Sequence, residues 1–175
     1  MIFLILILLI LGSLGYMFKL NHDLLVNKDN ILRSMAALDA MIIKKNLALL
    51  DIVSFCQDTM TKDSTLIKDI LALRHEVTEI KPKIVNAPAR YQKQAELDKK
   101  IKLFLNAFDK YPELGKNAGF QSNLQKFVEI EQDFQEKVDF YNICVDKLNK
   151  SIHSFPSSII AEMAQTKEPP PKYDK

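Results

Sequence analysis

The stretch "IFLILILLILGSLGYMF", Ile2 to Phe18, constrains this chain more than any other. A charge-free run of roughly 17 residues is just enough to cross a hydrocarbon core of about 30 Å as a helix. Everything after it must then be built as a body hanging from a membrane. A cleaved signal peptide is the competing reading, since Ser13 and Gly15 stand at small-residue spacing before Tyr16. No Lys or Arg precedes the run, which favours a retained single-pass anchor contacting membrane lipid through residues 1–18. Lys19, Lys28 and Arg33 follow it closely, so the flanking charge favours an outside N-terminus and a cytoplasmic body. Gly12 and Gly15 are too close for a GxxxG pairing face.

The body is expected to be helical. The sequence holds four glycines and no tryptophan, which leaves little turn chemistry for a β-sandwich or a nucleotide-binding α/β fold. At 175 residues, one domain with a real core is the prior. A net charge of +2, with acids and bases evenly mixed, does not make a nucleic-acid surface, so nucleic acid is not expected as a partner. Cys56 and Cys144 form no CxxC pair. They read as buried free thiols, or as a disulfide if their helices meet in an oxidising compartment.

Apolar residues past the membrane recur at steps of four and three: Leu24, Ile31, Met35, Leu38, Ile42, Leu49, Ile52 and Cys56. That is the 3.5-residue rhythm of coiled coils and bundles. No proline or glycine interrupts Tyr16 to Glu79, while "DTMTKDST" offers a turn, with Asp63 or Ser64 as N-cap. The first helix is expected to run about 40 residues, or about 60 Å, beyond the membrane. A second helix carries Leu66, Ile70, Leu73, Val77, Ile80 and Ile84, with Pro82 as a kink or stop and Pro88 as its end. A third carries Leu97, Ile101, Phe104 and Phe108. After the corner "KYPELGKNAG", a fourth shows Phe120, Leu124, Phe127, Phe134, Val138, Tyr141, Val145, Leu148 and Ile152.

These four stripes predict an all-α fold: an N-terminal transmembrane helix continuing into an antiparallel up-down-up-down four-helix bundle. The expected division is an anchor at 1–18, a bundle at 19–161 and an extended tail at 162–175. In that tail "KEPPPKYDK" cannot remain helical through Pro169 to Pro171. It reads either as a disordered end or as a docking segment for a partner.

Two polar residues interrupt the stripes, Lys45 in the first and Glu131 in the fourth. At about 1.5 Å per residue they fall at similar depth, which predicts that they face each other or share a structural polar layer. Removing one partner should cost several kcal/mol by stranding a buried charge, whereas replacing both by apolar residues could be neutral. Asn142 and Asn149 stand one position beside the fourth stripe, in a row with Gln121, Val128 and Gln135. They are expected to be helix-register amides, fixing the last helix to the first near the level of Asp29 and Asn30.

No catalytic constellation emerges. A carboxylate-bridged metal pair in a bundle uses Glu-x-x-His, and none of His22, His75 and His153 has a glutamate three residues before it. Glu76, Glu79 and Glu96 read as a solvated face pairing with nearby Lys and Arg74. Cys144 and His153, nine apart on one helix, do not come together. There is no Gly-rich phosphate loop. Neither a cofactor nor a metal is expected.

"AFDKYPELGKNAGFQSNLQ", the "IE" at 130–131, "YNICVDKLN" and "FPSSIIA" occur in an order that resembles the LemA family of bacterial membrane proteins. Tyr111, Pro112, Tyr141, Phe155 and Pro156 carry the family motifs as structural residues. The N-terminal half resembles it through "LNHDLLV" and "LDAMIIKKNLALLDIV", with Lys44 and Lys45 where the family tends to have arginines, Leu47 for an aspartate and Leu50 for a proline. The resemblance implies a single-pass protein with a long helical bundle and no established enzymatic activity. It also implies associations: one branch of the family is linked to magnetosome membranes, and other members often accompany a membrane zinc metalloprotease.

The function expected from these features is a non-enzymatic scaffold or adaptor at the bacterial inner membrane. It would act through protein–protein contacts with an unidentified membrane or cytoplasmic protein, a membrane metalloprotease or copies of itself. Membrane remodelling of the magnetosome-associated type, or a metal-dependent or hydrolytic enzyme, are the alternatives.

Overall fold

A computed structural model describes residues 2–166 and 168–173, apart from the side chain of Ile84. The described residues hold five α-helices and no strand: α1 (Ile2–Cys56), α2 (Ser64–Glu79), α3 (Ala87–Ala107), α4 (Ala118–His153) and α5 (Ser157–Met163). With no proline in its path, α1 runs unbroken for 55 residues, about 80 Å. It is long and apolar enough to cross a membrane. None of residues 2–18 is buried, whereas from Leu24 onward every turn or two of α1 contributes a buried residue.

From the C-terminal end of α1 the chain turns at Gln57–Met60, and α2 returns toward the middle of α1. Asp63 occupies the N-cap position of α2 but makes no capping bond, because its carboxylate accepts the Tyr111 hydroxyl at 2.9 Å. The break after Glu79 falls before Pro82, as its missing N–H requires. Pro88, in contrast to the expectation that it ends the second segment, lies in the first turn of α3, where its fixed φ suits the helix start and no N–H is needed. Asn117 caps α4 by accepting the Phe120 N–H at 3.1 Å. Gly119 lets Phe55 close in: a Cβ there would stand 3.2 Å from that ring.

The core is one continuous cluster, but its wrapping changes along the axis. Its most intimate packings are α1 on α4 and α2 on α3. In the half far from the charge-free run all four long helices contribute to the core. There Phe120 sits edge-on to Phe55 and Phe108, and Phe108 edge-on to Phe104. The α2–α3 hairpin is too short to follow α1 and α4 to the charge-free run, since it spends 16 and 21 residues where α4 has 36. The vacant side is filled by a short fifth helix, which the sequence reading lacked, and by the tail.

Residues 157–163 form α5, so helix extends slightly past the expected bundle boundary at 161. It closes with a left-handed residue: Gln165 has φ of 47°, Gln165 N–H donates to the Glu162 carbonyl and Thr166 N–H to that of Ala161. That 6→1 and 5→2 pair is a Schellman end, which reverses the chain. Beyond it the tail lies extended along the bundle to Tyr173, which is buried. The expected disordered or partner-seeking segment is, over its described part, a strap on its own domain. Residues 167, 174 and 175 fall outside the described residues.

Candidate functional site

Where the hairpin ends and the strap begins, the core holds charges. Lys45, on α1, is fully buried, and its four methylenes run through apolar surroundings before the ammonium finds partners. Nζ donates to Asp98 Oδ1 at 2.7 Å, stands 2.5 Å from Glu131 Oε2 and lies 4.3 Å from the centre of the Phe134 ring. Three helices thus converge on one cation. The contact with Glu131 is close but poorly aligned as a hydrogen bond, so its attraction is ionic more than directional. Desolvating an ammonium is tolerated only with such compensation.

Around this cation runs a chain of amides and carboxylates. Gln94 Nε2 donates to the same Asp98 oxygen at 2.8 Å, Asn46 Nδ2 donates to Gln94 Oε1 at 3.1 Å, and Arg74 Nε donates to the Asn46 carbonyl at 2.9 Å. One helical turn earlier on α3, Arg90 is buried with Nε 3.0 Å from Asp39 Oδ1. Its Nη1 donates to the Val77 and Ile80 carbonyls at 3.3 and 2.5 Å, closing the C-terminus of α2 with a positive charge. Burial pushes the Asp39 carboxyl above the usual range, against the opposing pull of the Arg90 charge and hydrogen bond.

The tail enters this network. Tyr173 N–H donates to Asn142 Oδ1 at 2.9 Å and Asn142 Nδ2 donates back to the Tyr173 carbonyl at 3.1 Å, so the amide side chain pairs with the strap as a neighbouring peptide would. The Tyr141 hydroxyl donates to the Pro171 carbonyl at 2.8 Å, and Lys172 pairs with Asp146 at 2.8 Å. Prolines offer no N–H, so the strap is held through carbonyls until Tyr173 supplies a donor. The Tyr173 ring packs against Tyr91 and Phe134, and its hydroxyl donates to Asp98 Oδ2 at 2.8 Å. Burial first, then the neighbouring Asp98, holds that phenol above its ordinary value. Tyr91 and Tyr141 are raised likewise, burial again being the first cause.

Of the residues singled out from the sequence, Lys45 and Glu131 meet here, joined by Asp98. Asn142 serves a different partner from the expected one: it holds the tail, because the strap and not α1 fills the space beside it. Asn149 is exposed, and toward the charge-free run α1 and α4 are linked by Asn27 Nδ2 donating to Ser151 Oγ at 2.9 Å. Tyr111 and Tyr141 are buried, Pro112 and Phe155 exposed, and Pro156 half-buried. Both cysteines are free and buried, with the Cys56 thiol pushed up to about 12 by burial.

Asp39, Asn46, Arg90, Gln94, Asp98 and Tyr173 were absent from the sequence reading. Their signal existed: 90, 94, 97, 101 and 104 keep the four-three rhythm of α3 with two polar members, and Asp39 and Asn46 each follow a core residue. Among the described residues no group of three or more His, Cys, Asp or Glu could hold a metal ion. Each described carboxylate of the cluster has a cation beside it, Lys45 for Asp98 and Glu131 and Arg90 for Asp39, an arrangement that ties helices together.

The model of the LemA family matches residues 34–173, most of the chain, from the second turn past Asp29 through the docked Tyr173. The chain belongs to the LemA family. No curated protein matches it.

Proposed function

We propose that this LemA-family chain is a non-enzymatic, single-pass scaffold or adaptor of the bacterial inner membrane, with its bundle on the cytoplasmic side. The observation that carries the reading is the build of α1. One helix without a break joins the charge-free run to the rigid body, so the bundle is held at a fixed distance from the bilayer. Past the membrane, α1 presents two apolar faces. One is the core row. The other, Leu25, Leu32, Ile43 and Leu47 with Ala36 and Ala40 between them, stays exposed on the opposite flank. A second apolar row at helical spacing is what a helix needs to receive a partner protein.

The ion network supports a passive role, since every charge in it is spent on holding helices and strap together. Photo-crosslinking in living cells from residues 32 and 43 of the full chain tests the reading. Covalent adducts with a membrane or cytoplasmic protein, or with a second copy, are expected, and Leu32→Glu with Ile43→Glu should abolish them. A chain that stays strictly monomeric and forms no adduct from either position defeats the adaptor. Labelling of a cysteine placed at Val85 in intact spheroplasts reads the orientation, because both native thiols are buried.

A further inference from the structure

Lipid contact is assigned by the sequence to residues 1–18 alone. The position of α5 adds to it. Ile160, Met163 and Ala164 line a groove with Leu14, Met17 and Phe18. Those three α1 residues belong to the charge-free run, and Leu14 lies four residues, about 6 Å, inside its end. A helix that shares a groove with Leu14, Met17 and Phe18 while the run is in the membrane cannot itself stand clear of the bilayer.

The outer face of α5 fits that position. Ile160 and Ala161 are buried against the rest of the chain, while Phe155, Ile159 and Met163, four apart, are 83, 48 and 72% exposed. Such a row, unpaid for in water, lies on the one part of the body that sits at bilayer level. Depth is graded along it. Ser154 and Ser157, which flank Phe155, line a groove with Leu20 and Asp23, just beyond the run; Met163 lies a full turn deeper. Glu162, exposed beside Met163, limits immersion to the headgroup boundary, since a carboxylate in hydrocarbon is costly.

We infer that Phe155 and α5 form a second membrane contact: an interfacial foot that lies against the bilayer surface beside the anchor, with Met163 and Ile159 among the upper acyl chains and Phe155 at headgroup level. The occupant of this apolar face is lipid, because it is continuous with the lipid-facing surface of α1. Two contacts instead of one fix the tilt of the bundle and, through the Schellman turn after α5, the start of the strap. The inference rests on the membrane placement of residues 2–18 and on nothing in the adaptor reading.

The chain has no tryptophan, so single tryptophans report depth without background. Full-length Tyr16→Trp, Met163→Trp, Phe155→Trp and Val85→Trp proteins are reconstituted into phosphatidylethanolamine–phosphatidylglycerol vesicles whose acyl chains carry bromine near the headgroup. Interfacial helices bury their apolar face about 5–10 Å into this boundary, so Met163→Trp should lose on the order of half its emission to the bromolipid and shift to the blue. Phe155→Trp should be quenched less, and Val85→Trp, at the α2–α3 corner, not at all. All four sites are exposed, so the fold is untouched. Quenching at Tyr16→Trp with Met163→Trp as unquenched as Val85→Trp overturns the foot and leaves the anchor standing. No quenching at Tyr16→Trp overturns both the foot and the membrane placement.

Discussion

The two halves of the bundle are stabilised by different means. In the half far from the charge-free run, phenylalanines of α1, of α4 and of the end of α3 pack edge-on to one another, and the packing is non-directional and tolerant of detail. In the half next to the charge-free run only α1 and α4 run on, and the missing layer is supplied by a short helix and an extended strap. The lesson is that a two-helix ridge needs specific polar pairing where it lacks enough apolar area. Asn142, Tyr141 and Tyr173 supply that pairing, and the Lys45 cluster marks the junction.

Perturbations separate the halves, beginning with the largest. Phe120→Ala should cost about 3–5 kcal/mol, the range for deleting a buried aromatic ring, and unfold both halves together in urea. Lys45→Met leaves Asp98 and Glu131 facing each other without their cation, and should also cost about 3–5 kcal/mol. Lys45→Met with Asp98→Asn and Glu131→Gln should recover much of that loss, as read from denaturation midpoints of the full chain in detergent. If the triple variant is no more stable than the single one, the cluster is not held by charge matching.

Asn142→Leu strands the N–H and carbonyl of Tyr173 and should cost about 1–3 kcal/mol, confined to the strap. Trypsin cleavage after Lys172 should accelerate while the distal helices stay protected from exchange; an equal loss in both halves would erase the distinction drawn here. Alkaline pH should act on the same half. Tyr173, Tyr91 and Tyr141 are phenols raised in the folded state above the ordinary 10.0. Their contribution is therefore intact below 10.0 and falls as pH rises past it. Ultraviolet titration should show these tyrosines ionising late, with the near-ultraviolet dichroism of the strap lost at the same step, and Tyr173→Phe should remove Tyr173's share. The smallest effect is a gain: Gln165→Gly relieves a left-handed L-residue and should stabilise by up to about 1 kcal/mol.

Much of this was legible one residue at a time. The four-three rhythm marked the helices because burial of one helical face imposes that period on the sequence, and Lys45 and Glu131 stood out because they break it. The strap was not legible. "EPPPKY" forbids a helix, and an extended chain has no periodicity to show which surface it lies on. Asn142 was noticed and assigned to the wrong neighbour for the same reason: its partner lies 31 residues away, through a chain reversal closed by the left-handed Gln165 and the hydrogen bonds of Gln165 and Thr166 to α5. Asp98 and Gln94 escaped because polar residues on a helix are ordinarily solvent-facing, and only the approach of α1 turned theirs into a core face.

By itself, then, the sequence determined the charge-free run, the unbroken helix after it, the number and polarity of the long helices and the depth of the two odd charges, all of which depend on local chemistry and period. The tertiary structure alone decided that the hairpin is too short for the ridge, that α5 packs beside the end of the charge-free run and that Tyr173 closes the charged core. Each of those depends on where chain segments distant in sequence come to rest against each other, and no local pattern encodes that.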